Sequence, residues 1–236
     1  MSFLDPYVTL LESRISYSRL QASRFAKEVA DDYNPIHDVE AKRFCVPGDL
    51  LFATLLVRRG LFPKMHFSFA GMVGDEVPLE IREETPGDLC MVDERGKEYL
   101  HAQFSGAPRQ DPELIEQLVR GYVRFSGHNF PHILGPLMAE SGMMINIERP
   151  LVIYESMTLD LQVPELRQPE LELAGATLQV EGKRGNALLT FRFVEGGKTV
   201  GTGEKRMVLS GLKPYEAAGM EAMIEEYDRR KRDRVV

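Results

Sequence analysis

From Ser18 onward, apolar residues fall at Ala22, Phe25, Ala26 and Val29, the spacing of one helical face. Ser18 with Gln21 three residues later supplies a capping box for its start. The segment "PGDLLFATLLVRRG" behaves differently: Leu50, Leu51, Phe52, Ala53, Leu55, Leu56 and Val57 leave no polar face before Arg58. A helix apolar on nearly all sides must be buried on nearly all sides. The pattern then changes to short runs at 65–73, 76–81, 88–94 and 98–104, separated by Gly, Pro and charged turns, which predict strands. One buried helix followed by several antiparallel strands predicts a curved sheet wrapped round that helix.

"GAPRQDP" (106–112) breaks the pattern with two prolines and no periodicity, and reads as a linker. The plan then repeats. A helical "DPELIEQLVRGYV" (111–123) leads to a mostly apolar 130–146, and strands follow at 149–163, 171–182, 186–196 and 198–211, with "KRGN" and "EGGK" as hairpin turns. The two halves share element order rather than residue identity. This predicts an N-terminal domain at 1–107, a like-built C-terminal domain at 108–212 and a charged helical tail at 213–236. Met220, Met223, Ile224 and Tyr227 share one side of that tail, which either docks on the body or a partner chain, or stands as a frayed, solvated helix.

At 236 residues, 43% hydrophobic and 28% charged, the chain has enough apolar material for these cores. A formal charge of -7 excludes a general binder of nucleic acid or anionic membranes, which needs a basic face. The one basic run, "RRKRDR" at 229–234, reads as solvated tail. Cys45 and Cys90 fit neither a metal spacing nor a disulfide framework, so the expectation is a reducing, cytoplasmic setting without metal or cofactor. The N-terminus lacks the pattern of a secretory signal, and the longest apolar run, Gly48 to Val57, is too short to span a bilayer.

The candidate chemistry sits in "DDYNPIHD" (31–38). Pro35 biases Asn34 away from the helical region, so the backbone turns between Asp32 and His37 and can bring carboxylate and imidazole side by side. Such a pair suits proton transfer, with the carboxylate fixing the histidine tautomer or sharing a water. The same residues also suit a plainer role: Asn34 as N-cap and Pro35 as the first residue of a short helix. Both readings hold together, because a capped turn is a rigid support. Gly48 opens the buried helix, where free N–H groups and the helix dipole favour negative charge, and a residue without Cβ lets an acyl carbonyl approach. It reads either as an oxyanion site or as a simple Pro-Gly turn.

"DDYNPIHDVEAKRFCVPGDLLFATLL" resembles the hydratase signature of the MaoC-like, (R)-specific enoyl-CoA hydratase branch of the hotdog superfamily through Asp32, Asn34, Pro35, His37, Phe44 and Gly48. "FCVPGDLLF" within it resembles a bacterial family known as a domain of unknown function, DUF3581. The resemblance implies an α+β double hotdog: two central helices, each wrapped by a curved antiparallel sheet, as a pseudo-dimer in one chain. It implies that Asp32 and His37 hold the water that adds to a 2-enoyl thioester, that Gly48 polarises the thioester carbonyl, and that Asn34 shapes the turn. The partner would be an acyl-CoA or acyl-carrier-protein thioester, and the protein a monomeric double hotdog or a homodimer. Pro47 stands where the family has His, and Asp49 puts a carboxylate beside the amide, where it opposes enolate charge unless it points to solvent or caps the helix. "FSGHNFPHILGPLMAESGMM" resembles, more loosely, the acyl-carrier-protein dehydratases, which makes His128 and Glu140 a possible second-half site. A non-catalytic acyl-binding protein and an acyl-CoA thioesterase are the alternatives on the same scaffold.

Overall fold

The computed structural model describes residues 2–233, so Met1 and the last three residues of the predicted tail lie outside the described residues. A short hairpin of β1 (Thr9–Leu11) and β2 (Arg14–Ser16) precedes α1 (Arg19–Arg24), which opens on the capping box that Ser18 and Gln21 predict. The wider π turn Phe25–Val29 continues α1, and the chain then makes a single 3₁₀ turn at Pro35–His37 before α2 (Gly48–Arg59). Four strands follow: β3 (Lys64–Phe69), β4 (Leu79–Thr85), β5 (Asp88–Asp93) and β6 (Glu98–Ser105). The second half begins with α3 (Pro112–Gly127), α4 (Asn129–His132), α5 (Leu134–Ser141) and a two-residue β7 (Met143–Met144). It continues through β8 (Val152–Leu161), β9 (Glu170–Glu181), β10 (Arg184–Glu195), β11 (Lys198–Ser210) and β12 (Lys213–Pro214) to α6 (Ala217–Asp233).

Ten strands make one antiparallel sheet in the order β1-β2-β4-β5-β6-β3-β8-β11-β10-β9. The seam between the halves is β3, which pairs with β6 on one side and β8 on the other, so Phe67 lies between Ala102 and Met157. The apolar face of α2 is wrapped as its sequence requires: every residue from Asp49 to Leu56 is buried. Phe52 meets Phe67 and Tyr122 edge-on, with ring centroids 5.1 Å apart in each pair, so the helix is anchored to both halves. Its one mid-helix polar residue, Thr54, donates to the Leu50 carbonyl at 2.7 Å and accepts from Tyr17 at 3.0 Å, which satisfies a hydroxyl that would otherwise be costly to bury. The protein is an α+β double hotdog.

Two segments differ from what the pattern predicts, and a third takes on elements that the pattern does not name. The strand in the run 65–73 ends at Phe69, with Ala70 N–H still donating to the Tyr99 carbonyl at 3.0 Å; beyond it the Val73 carbonyl accepts from Val46 N–H at 2.9 Å and ties down the loop before α2. The "linker" is pinned: Leu61 and Arg109 exchange backbone hydrogen bonds, and the Arg109 guanidinium donates to the carbonyls of Val163 and Leu166. An arginine fork satisfies several carbonyls at once, which periodicity cannot reveal. The apolar stretch 130–146, for which the pattern names no element, folds as most of α4, as α5 and as β7.

Of the two readings of the tail, docking holds. Met220 and Tyr227 of α6 are buried, Met220 in an apolar cluster with Leu134, Met138, Met144 and Leu212. The basic run is not simply solvated: Arg230 pairs with Asp38 and Lys231 with Asp31. A spacing argument sees charge but not the carboxylates that face it.

Candidate active site

The opening turn is built before any chemistry is asked of it. Asp31 takes a left-handed φ of +54°, which ends the α1 segment and swings the chain out. Asp32 Oδ1 accepts from Asn34 N–H at 2.8 Å and Asn34 Oδ1 accepts from Ile36 N–H at 3.2 Å, two side-chain turns in succession. Asn34 is exposed and caps the 3₁₀ turn, so its observed contacts are those of a turn-former.

That turn brings the predicted pair together. His37 Nε2 lies 3.7 Å from Asp32 Oδ2, and both side chains are mostly buried. His37 Nδ1 lies 2.7 Å from the Cys45 carbonyl, which can only accept; Nδ1 is therefore the protonated nitrogen, and Nε2 of the neutral ring presents a lone pair to Asp32. Two acceptors at 3.7 Å want a donor between them. Burial pushes the His37 pKa down, and the Asp32 charge only partly restores it, so the neutral ring is favoured. The same burial pushes the neighbouring Cys45 thiol up to about 11, which keeps it a thiol.

Gly48 starts α2, and the charge of Asp49, which follows it, is felt at His37. Among the described residues the Gly48 N–H donates to no other atom, as expected for the first amide of a helix. A Cβ at this position would lie 2.9 Å from the ring of Phe69, so packing favours glycine here. Asp49 neither points to solvent nor caps the helix. It is buried, and its Oδ2 accepts from Ser126 of α3, whose Oγ accepts in turn from Lys205 of β11. Burial raises the Asp49 pKa and lowers that of Lys205, each opposed by the other's charge. Beside them Tyr122 and Tyr154 share a short hydroxyl contact, and burial raises both phenols well above their usual value.

The other predicted pair does not meet. His128 Nε2 bonds Asp31 Oδ2 at 2.7 Å, with Lys231 on the same oxygen, whereas Glu140 is exposed on α5. No hydrogen bond or ion pair joins His128 to Glu140 among the described residues. Burial works to raise the Asp31 pKa, but Lys231 and His128 hold it below the usual carboxylate range. Among the described residues no group of three or more metal-ligating side chains converges, and no helix is long and apolar enough to cross a membrane.

A family model described as "Protein of unknown function (DUF3581)" matches residues 2–218, most of the chain. The protein belongs to the DUF3581 family. Among curated proteins nothing matches this DUF3581 chain. Among solved structures, it is similar to a conserved protein of unknown function with a hot dog fold from Alicyclobacillus acidocaldarius. That match has a TM-score of 0.50 at 8% identity and covers 91% of this chain and 100% of the other. It also matches an acyl-CoA thioesterase II, TesB2, from Mycobacterium marinum (TM-score 0.45, 11% identity, 89% and 96% covered). A MaoC-like dehydratase matches at TM-score 0.43 and 10% identity, with 87% and 98% covered. At such identities the likeness is one of fold.

The family match ends at residue 218, so nearly all of α6 lies beyond it, yet α6 covers the turn. Tyr227 Oη lies within 3.4 Å of the carbonyls of Asp31 and Gly127 and of Tyr33 N–H, and Arg230 also donates to the Tyr33 carbonyl. Asp38 is held between Arg230 and the buried Lys27, whose Nζ is 3.1 Å away. Removing one partner of a buried ion pair leaves the other uncompensated. Arg230→Ala is expected to cost about 3 kcal/mol, the low end for a buried pair because Lys27 still faces Asp38. Urea unfolding checks this, and a loss below about 0.5 kcal/mol, the value of an exposed pair, would contradict it. Two surface clefts, of about 510 and 320 Å³, include none of Asp32, His37, Gly48 or Asp49.

Sequence reasoning missed Ser126, Lys205, Tyr122 and Tyr154. Only Lys205 left a trace: a lysine whose flanks alternate with inward-facing residues of β11, at a position the strand pattern points into the core.

Proposed function

We propose that the protein acts on acyl thioesters and hydrates a 2-enoyl thioester, or dehydrates the corresponding 3-hydroxyacyl thioester. The observation that carries the reading is the Asp32–His37 pair, two acceptors 3.7 Å apart with the histidine tautomer fixed by Cys45. A water held there donates to both. As the water oxygen adds to Cβ of the enoyl group, its proton passes through the pair and one proton is returned to Cα, so a single water supplies both new bonds. Charge develops on the thioester oxygen as this happens, and the Gly48 N–H at the head of α2 is the donor for it. CoA or acyl carrier protein is the carrier in this reading.

The test is a spectrophotometric assay with crotonyl-CoA and a longer enoyl-CoA, following loss of the conjugated double bond and release of free thiol in parallel. Hydration without thiol release supports the reading; thiol release alone would replace it with a thioesterase. One observation favours a non-catalytic acyl-binding protein instead: α6 lies over the turn, with Tyr227 and Arg230 bonded to its backbone. Saturable acyl-CoA binding with neither signal would establish that alternative.

Because His37 must be neutral to accept a proton, kcat/KM should fall on the acid side with a midpoint below about 6.5, the usual histidine value. Stability follows with the same sign. The unfolded chain binds a proton near pH 6.5 that the folded chain resists, so stability is greatest above that pH and declines as pH falls through the folded value. Urea midpoints of wild type and His37→Gln between pH 5 and 8 check this; identical pH slopes would contradict it.

A further inference from the structure

Asp49 sits where a carboxylate should do most harm. It directly follows Gly48, the oxyanion donor of the reading above, and a negative charge there opposes the charge that develops on the thioester oxygen. The side chain finds no solvent, and its Oδ1 has no hydrogen-bond partner among the described residues. An ionised carboxylate is buried only where something balances it, and here the balance comes from the other half of the molecule. Lys205, also buried, donates to Ser126 Oγ, and Ser126 donates to Asp49 Oδ2, each at 2.5 Å.

A second route runs from the same lysine to the same amide. Lys205 Nζ stands 4.3 Å from the ring centroid of Tyr154, and Tyr154 packs against Phe69 at 4.1 Å. Phe69 is the ring that Gly48 abuts. Three elements, α2, α3 and β11, thus converge on one charge arrangement beside the head of α2. Fold stability gives little reason to keep it, since a buried charged group is often replaced by apolar side chains without loss.

We infer that Lys205 is a positioning residue of the active site: acting through Ser126, it balances Asp49 so that the Gly48 amide works as an oxyanion donor beside a carboxylate. The inference rests on the hydratase reading for its effect on rate. Its charge coupling is measurable without turnover.

Lys205→Met and the double variant Lys205→Met/Asp49→Asn, compared with wild type, test it by crotonyl-CoA hydration and by NMR titration of His37. Lys205→Met should lower kcat about 10²-fold with KM changed by less than about threefold, and the double variant should return to within about tenfold of wild type. Equal losses in the single and double variants, or wild-type turnover in the single, overturn it. If Lys205→Met does not fold, the double variant decides alone, because it carries no unbalanced buried charge: turnover supports the inference and inactivity overturns it.

His37 faces Asp32, Lys27 and Asp49 and bonds the Cys45 carbonyl; Lys205 bears on both Asp49 and Asp32, and the double variant removes the Asp49 part. The His37 pKa should rise in Lys205→Met and fall back in the double variant. An unchanged titration overturns the inference. Should wild type hydrate no enoyl thioester, the hydratase reading fails, and this titration still decides whether Lys205 governs charge at the site.

Discussion

Asp32→Asn and His37→Gln are each expected to lower crotonyl-CoA hydration by about 10²- to 10⁴-fold in kcat, the range over which a positioned acid or base contributes. Both substitutions preserve shape. Asparagine keeps an oxygen to accept from Asn34 N–H, so the turn survives and stability should change by less than about 1 kcal/mol. The loss is then chemical: an amide cannot take a proton from a water that His37 Nε2 also holds. In His37→Gln the hydrogen bond to the Cys45 carbonyl goes as well, and about 1 kcal/mol of stability should go with it. Circular dichroism and urea unfolding separate the two effects. Full turnover in Asp32→Asn from folded protein would remove Asp32 from the mechanism and leave "DDYNPIHD" as a turn.

The sequence carried the pair because its information there is local. Pro35 and Asn34 act within four residues, so the turn, the N-cap and the approach of His37 to Asp32 all follow from short-range rules. The core of α2 was legible for a related reason: an apolar surface on every side has only one solution. Asp49 was visible as a misfit, but its resolution was not, since Ser126 and Lys205 lie 77 and 79 residues away from their partners along the chain. Hydrogen bonds between distant elements leave no periodicity. The docking of α6 was half legible. Its apolar side pointed to a body to pack on, while the pairing of Arg230 and Lys231 with Asp38 and Asp31 depended on where the turn ended up.

Gly127→Ala should be the more damaging of two changes that look alike on paper. Both Gly121 and Gly127 lie in α3, where alanine is normally worth up to about 1 kcal/mol over glycine. A Cβ on Gly121 meets nothing within 4 Å, so Gly121→Ala should be neutral or stabilising. A Cβ on Gly127 would instead fall well inside contact distance of the Ala30 carbonyl oxygen, and 3.2 Å from Asp32 Cβ. The obstacle is backbone, held by the hydrogen bonds of the turn and by the left-handed Asp31 that follows, and cannot rotate away. Overpacking against so rigid a neighbour should cost about 3 kcal/mol. It should also move Asp32 relative to His37, and a displacement of ~1 Å at a reacting group costs on the order of 10²-fold in rate. Urea midpoints and hydration rates of the two variants, measured side by side, read both effects. If Gly127→Ala were as stable and as active as Gly121→Ala, the close approach of α3 to the turn would not be what sets the geometry of the site.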